Sequence, residues 1–272
     1  MPVKFFRLVF TCGWHILGCY FRWIHKYSRH PERYPIEVRY AAARELITFV
    51  MKRMRIRLEL NGFDNFLNQK GGFLVAPNHL SMMDVLFDVA LSDRPLTFVA
   101  KIEAKKMPFI GSILTAMDGL FLDRNDLRQN AIIMREVGKR FSEGKIIVIY
   151  PEGTRQKNHR APLLPFHPGT FKVAAKAGVP ILPVAEYGTF RLFDIHHDYR
   201  QNLVQMTFFP PVMPEEYTKA SSPEVAAMIQ QKVQIEVNRQ RELDDQFMKS
   251  RQQHEKLTRP FWYEAFENRE DK

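Results

Sequence analysis

Two kinds of apolar pattern alternate along the chain. One repeats every three or four residues. The other is short, unbroken and ended by Gly, Pro or Asn. Ile36, Tyr40, Ala43, Ile47, Val50 and Met54 follow the first, at spacings 4, 3, 4, 3 and 4, and predict a helix from Ile36 to about Met54. Phe5 to Ile24 is the most apolar stretch, and its polar residues Arg7, Thr11, His15, Gly18 and Arg22 fall at spacings 4, 4, 3 and 4. That is one narrow polar stripe on an otherwise apolar helix, the pattern of a helix lying in a membrane interface. Its run free of Lys, Arg, Asp and Glu, Leu8 to Phe21, is fourteen residues long, against the roughly 20 a spanning helix needs.

The short runs predict strands: Ile56–Leu60, Phe73–Ala76, Pro95–Ala100, Leu120–Leu122, Lys145–Tyr150, Val179–Ala185 and Leu203–Phe209. Helical segments fall between them at Val85–Leu91, Met107–Met117, an Asp126-capped stretch to Phe141, and Gly169–Ala177. A long last helix is expected to be capped by Ser222, with Pro223 at its first position, and to run to about Gln252 with a solvated end. Strands alternating with helices make this an α/β chain, with a mixed, largely parallel sheet covered by helices. The expected division is a two-helix interfacial membrane anchor at residues 1–60 and an α/β domain at 61–272. The second helix has two open readings, embedding beside the first or packing on the domain.

Charge sharpens the first part of that picture. The formal net charge is +10, and residues 1–60 hold twelve Lys/Arg against four Glu, which is +8 of it. Arg39, Arg44, Lys52 and Arg53 contribute from the second helix. Basic charge set among aromatic and apolar residues points to an anionic membrane surface rather than to nucleic acid. Cys12 and Cys19 lie seven apart on a helix, about 10 Å between α-carbons, too far for a disulfide.

Candidate chemistry gathers where strands end. Asn78-His79 follows the Phe73–Ala76 run and Pro77, and Asp84 follows His79 by five residues. On one continuous helix the two side chains would point about 140° apart. They meet only if the chain turns between them, with a helix starting near Ser81 or Met82. A carboxylate-backed imidazole is the minimum kit of a general base. Gly-x-Ser-x-Gly is absent and both cysteines lie in the first helix, so no activated nucleophile is evident. Ser81, the one hydroxyl near the base, reads as a helix cap. Arg124 and Arg155 each follow a strand-like run, and a guanidinium suits a phosphate because it binds two oxygens at once. Lys101, past another strand, is a weaker cation candidate for the same group. Gly153 and Thr154 are candidate backbone donors to an oxyanion. Glu152 suits holding an arginine or a backbone amide. His196-His197-Asp198 reads as a polar loop rather than a metal site, because adjacent histidines point apart.

Four blocks stand in order: Asn78-His79-x4-Asp84, Phe121-Leu-Asp-Arg124, Pro151-Glu-Gly-Thr-Arg155 and Val179-Pro-Ile-Leu-Pro183. Together they resemble the glycerolipid acyltransferase family, over roughly residues 60 to 215. Leu122, Leu80 and Gln156 depart from the family's commoner residues. The resemblance implies transfer of an acyl chain, from acyl-CoA or acyl-carrier protein, to the sn-2 hydroxyl of 1-acylglycerol-3-phosphate, giving phosphatidic acid. It implies His79 and Asp84 as the catalytic pair and Arg124 and Arg155 as the phosphate clamp; with Glu152, Gly153, Thr154 and Lys101 these make up the expected substrate-binding set. No metal or resident cofactor is expected, and the location is the cytoplasmic face of a membrane. Two other readings remain open: acylation of another lysolipid or of glycerol 3-phosphate, and a non-catalytic lipid-binding peripheral membrane protein.

Overall fold

The computed structural model describes residues 12–123, 125–192, 194 and 199–256. Arg7, Thr11, Arg124, His196-His197-Asp198 and the aromatic Phe261-Trp262-Tyr263 lie outside them.

Seven strands form one mixed sheet: β1 (Ile56–Asn61), β2 (Phe73–Pro77), β3 (Leu96–Lys101), β4 (Leu120–Leu122), β5 (Ile146–Val148), β6 (Ile181–Tyr187) and β7 (Asn202–Phe208). Their order is β1-β7-β6-β2-β5-β3-β4. Every pair is parallel except β6 with β7. The central strands are buried on both faces, as their unbroken apolar runs require. Phe73 and Val75 of β2 enter one apolar core and Leu74 and Ala76 the other, so the sheet's two-residue period divides the core in two.

Helices cover both faces. α1 takes in residues 12–29, including a π-turn at Tyr20–Ile24. It is followed by α2 (Ile36–Met51), α3 (Asp64–Leu67), α4 (Met83–Leu91), α5 (Ile102–Lys105) and α6 (Ile110–Ala116). Then come α7 (Leu127–Ser142), α8 (Pro168–Ala177), α9 (Pro214–Tyr217) and α10 (Ser222–Lys249). Tyr40, Leu46, Ile47 and Met51 of α2 join Met83 and Phe87 of α4 in the first core. Val137 and Phe141 of α7, Phe171 of α8, and Ile229 and Val233 of α10 fill the second.

The α2 question is thereby decided: it packs on the sheet domain. Arg39 is buried, donating to the Ala116 carbonyl at 2.6 Å and to both carboxylate oxygens of Asp118 at 2.6 and 3.0 Å. Arg44 donates to the Ala90 carbonyl at 3.2 Å. Two of the four cations expected on this helix therefore serve the fold. The expected boundary at 60/61 falls inside β1, whose pairing with β7 runs from Ile56 to Asn61.

α1 divides its surface differently from the expectation. Ile24 and Tyr27 are buried, and His15 stacks on Phe49 of α2 with centroids 3.6 Å apart. Trp14, Leu17 and Phe21, at spacings 3 and 4, form an exposed apolar stripe. Among the described residues no helix is long and apolar enough to cross a membrane.

Two helix ends also differ. Ser221, not Ser222, caps α10, in a reciprocal pair with Glu224. The far end of α10 is packed rather than solvated: Asp244 forms a buried bidentate ion pair with Arg191, and Phe247 is buried.

Candidate active site

The five strands β2 to β6 run the same way and end on one edge, and the sequence-predicted chemistry collects there. β2 delivers His79, β3 ends at Lys101, β5 leads into Glu152–Arg155, and β6 leads into Thr189. β4 ends at this edge at Leu122, two residues short of Arg124.

Local hydrogen bonding fixes how the chain leaves β2. The Asn78 side chain donates to the Glu186 carbonyl at 3.0 Å and accepts from the Glu186 N–H at 2.7 Å, pinning the exit to β6. The chain then wraps around the Asp84 carboxylate. Asp84 Oδ2 accepts from the amides of Leu80 and Ser81 at 2.8 and 2.9 Å, and lies 2.8 Å from His79 Nδ1. Thr189 Oγ1 donates to Asp84 Oδ1 at 2.5 Å. The turn that the spacing required is therefore present, with α4 starting at Met83 and Asp84 in its first turn, where a carboxylate is favoured. Ser81 Oγ accepts from the Met83 amide, as a cap does.

Asp84 is fully buried, and the His79 side chain keeps 17% of its surface exposed. Because Asp84 Oδ2 only accepts, in the neutral imidazole Nδ1 carries the proton and Nε2 presents its lone pair. A positioned base with an oriented tautomer can take a proton from a hydroxyl.

The loop after β5 closes one side. The Glu152 carboxylate, nine-tenths or more buried, accepts from the His79 amide at 2.7 Å and the Leu164 amide at 2.8 Å. Burial pushes its pKa up to about 7. It holds backbone amides, not an arginine, and both its oxygens are occupied. The Gln156 amide donates to the His79 carbonyl at 2.8 Å, tying the other side of the same residue.

Gly153 adopts a left-handed conformation at φ 61°, and its amide donates to the Tyr150 carbonyl at 2.9 Å. Its N–H is thus committed to the turn, contrary to the expected oxyanion role. Lys101 Nζ donates to Thr154 Oγ1 at 3.0 Å, joining the ends of β3 and β5. Arg155 is half-buried beside this junction and makes no hydrogen bond or ion pair with another described residue. Among the described residues no group of three His, Cys, Asp or Glu side chains is arranged to hold a metal.

Several groups at the site had no signal in the sequence. Thr189 reaches Asp84 from 105 residues away. Gly188, at φ 94°, makes that turn possible, since a Cβ there would lie 2.2 Å from the Leu203 carbonyl oxygen. Tyr150 stacks on His79, with centroids 4.1 Å apart. His159 stacks on Phe190 at 3.9 Å, and burial lowers its pKa.

Comparison with known proteins agrees with this arrangement. The family model described as Acyltransferase matches residues 57–186. A probable 1-acyl-sn-glycerol-3-phosphate acyltransferase of Mycoplasma pneumoniae is 28% identical, over 74% of this chain and 78% of its own. The 1-acyl-sn-glycerol-3-phosphate acyltransferase of Salmonella typhimurium is 29% identical, over 82% of this chain and 88% of its own. In fold, the chain is similar to the crystal structure of a 1-acyl-sn-glycerophosphate acyltransferase from Thermotoga maritima, with TM-score 0.62, 24% identity, and coverage of 74% and 79%. The ordered blocks, the sheet edge that gathers them and these matches agree in likening residues 57–186 to the acyltransferase family.

Proposed function

We propose that the protein transfers an acyl chain from a thioester, acyl-CoA or acyl-carrier protein, to the sn-2 hydroxyl of 1-acylglycerol-3-phosphate. The observation that carries the mechanism is the 2.8 Å contact of His79 Nδ1 with a fully buried Asp84, which leaves Nε2 at the open sheet edge. His79 Nε2 removes the proton of the acceptor hydroxyl as its oxygen attacks the thioester carbon. The tetrahedral oxyanion is met by backbone donors; the amides of Thr154 and Arg155 are the candidates, since neither has a partner among the described residues. Collapse breaks the C–S bond, and His79 returns the proton to the leaving thiolate. Attack is direct, with no acyl-enzyme, and no resident cofactor takes part.

Arg155 holds the acceptor's phosphate, with Lys101 beside it and Arg124 as a further cation. Glu152 is a positioning residue, acting through the two amides it binds. The protein sits on the cytoplasmic face of a membrane without spanning it. The exposed Trp14, Leu17 and Phe21 support this, with Phe109 packed against Tyr20 beside them at 4.6 Å. The deciding assay uses purified protein, labelled acyl-CoA and a panel of acceptors. Turnover with lysophosphatidate above that with glycerol 3-phosphate and larger-headed lysolipids is expected. Preference for another acceptor overturns the substrate, and vesicle binding without turnover overturns catalysis.

A further inference from the structure

Behind the His79 ring lies a group of ionisable side chains that proton transfer at Nε2 does not itself require. The Tyr150 ring stacks on the imidazole at 4.1 Å, with 29° between the planes. Its hydroxyl donates to Asp88 Oδ2 at 2.6 Å. Asp88 stands one helical turn after Asp84 on α4, and Glu186 interacts with it from β6. Glu186 is fully buried, and neither of its carboxylate oxygens has a hydrogen-bond donor among the described residues. Asn78 clamps the Glu186 backbone, and β6 is buried along its whole length, which keeps the side chain in the interior. Two buried carboxyl groups facing each other do not both ionise, and a proton held between them satisfies both. Burial accordingly pushes Asp88 up to about 7 and Glu186 well above the carboxylate range.

We propose that Tyr150, anchored on the Asp88–Glu186 pair, is a positioning residue that holds the face of the His79 imidazole and supports its cationic form during acyl transfer. The inference rests on the reading of His79 as the base. When Nε2 takes the acceptor's proton, the ring becomes an imidazolium. Asp84 meets it at the Nδ1 edge, and Tyr150 meets it on the face. A cation over an aromatic face is attracted to it, more so when water is excluded. The phenol's bond to Asp88 fixes the plane that presents this face. Asp84 alone fixes one edge of the imidazole and leaves rotation about that contact open; the stacked ring removes it.

The test uses the full chain, with palmitoyl-CoA and 1-oleoylglycerol 3-phosphate. Wild type, Tyr150→Phe, Tyr150→Leu, Asp88→Ala and the Tyr150→Phe/Asp88→Ala double variant are compared, with His79→Ala as control. Circular dichroism checks the fold of each. Tyr150→Leu, which loses the face, is expected to lower kcat about 10- to 30-fold. Tyr150→Phe, which keeps the face and loses the anchor, is expected to lower it about 3- to 10-fold. The KM of each substrate stays within about two-fold, because neither variant touches substrate. The double variant is no slower than Tyr150→Phe by more than about two-fold, since both changes break one link. Full kcat in folded Tyr150→Leu, a loss confined to KM, or additive losses in the double variant would overturn the proposal while leaving an inactive His79→Ala as evidence for the base. Should Tyr150→Leu not fold, Tyr150→Phe and the double variant decide alone. An active, folded His79→Ala would overturn the base itself, and this inference with it.

Discussion

Asp84 and Arg155 belong to the same edge of one sheet and are held in opposite ways. Each oxygen of Asp84 is occupied, Oδ2 by two amides and His79 and Oδ1 by Thr189, and the side chain is fully buried. Arg155 is half-buried and has no partner among the described residues. The difference fits the roles proposed for the two groups. A carboxylate that orients a base works best when nothing moves, because misplacement of the reacting groups costs rate directly. A cation that receives a phosphate must keep its donors open until the ligand arrives. The held side and the open side of the edge should therefore respond to substitution in different kinetic constants.

The largest effect is expected on the held side. His79→Ala should lower kcat at least about 100-fold, the usual scale for positioned acid–base catalysis. Asp84→Asn should come close to it, because a neutral amide does not offset the positive charge the imidazole gains with the proton. Both are read as kcat in folded protein. A KM effect in either variant would erase the distinction between the two sides.

The held side was also the half-legible one. His79 and Asp84 are five residues apart, and one turn of chain suffices to join them. Asp126 could be named as a cap for the same reason, and it accepts from the amides of Arg128 and Gln129. Thr189, Tyr150, Asp88 and Glu186 were not legible. Tyr150 and Asp88 are 62 residues apart, and Thr189 and Asp84 are 105 apart. Their meeting depends on strand order, which no local pattern encodes. The inward turn of Arg39 was hidden likewise, because its partner Asp118 lies 79 residues on. Short helices such as α3 and α9 escaped because four residues carry no helical period.

On the open side, Arg155→Lys keeps the charge and loses the bidentate fork. It should lower kcat/KM for lysophosphatidate about ten-fold. The acyl donor's KM should change much less, and a phosphodiester acceptor should lose less than the monoester. Initial-rate kinetics varying each substrate in turn check this. A rise in the donor KM alone would mean that the arginine grips the donor's phosphates, and the assignment of the two substrates would be reversed.

The exposed stripe of α1 resembles Arg155 in standing open, but what it offers is an apolar surface. Trp14 is 87% exposed and Phe21 69%. Trp14→Ser with Phe21→Ser should weaken partition onto phosphatidylglycerol-containing vesicles by about ten-fold or more, given roughly 1.5–3 kcal/mol for burying a large apolar side chain. Turnover with a detergent-dispersed substrate should be unchanged. Cosedimentation measures the first and the standard assay the second. Equal sedimentation of variant and wild type would remove α1 from the open side.

The smallest effect concerns what the held side costs the fold. Asp88 has its pKa raised by burial, from 3.8 to about 7. Between those values the native protein binds a proton that the unfolded chain has released, so rising pH favours the unfolded chain. The stabilising contribution is fully present below about 3.8 and is gone above about 7. Asp88→Asn has no charge to bury, and its side-chain oxygen can still accept from Tyr150. The variant should therefore gain a few degrees in Tm over wild type at pH 8 and less at pH 5, where only part of that window has been crossed. Thermal denaturation at both pH values measures the gap. A gap that is equal at the two pH values would show that Asp88 does not titrate between them. A gap that opens only at pH 5 would mean that the native protein prefers the ionised carboxylate, and that the held side is stabilised by this charge rather than strained by it.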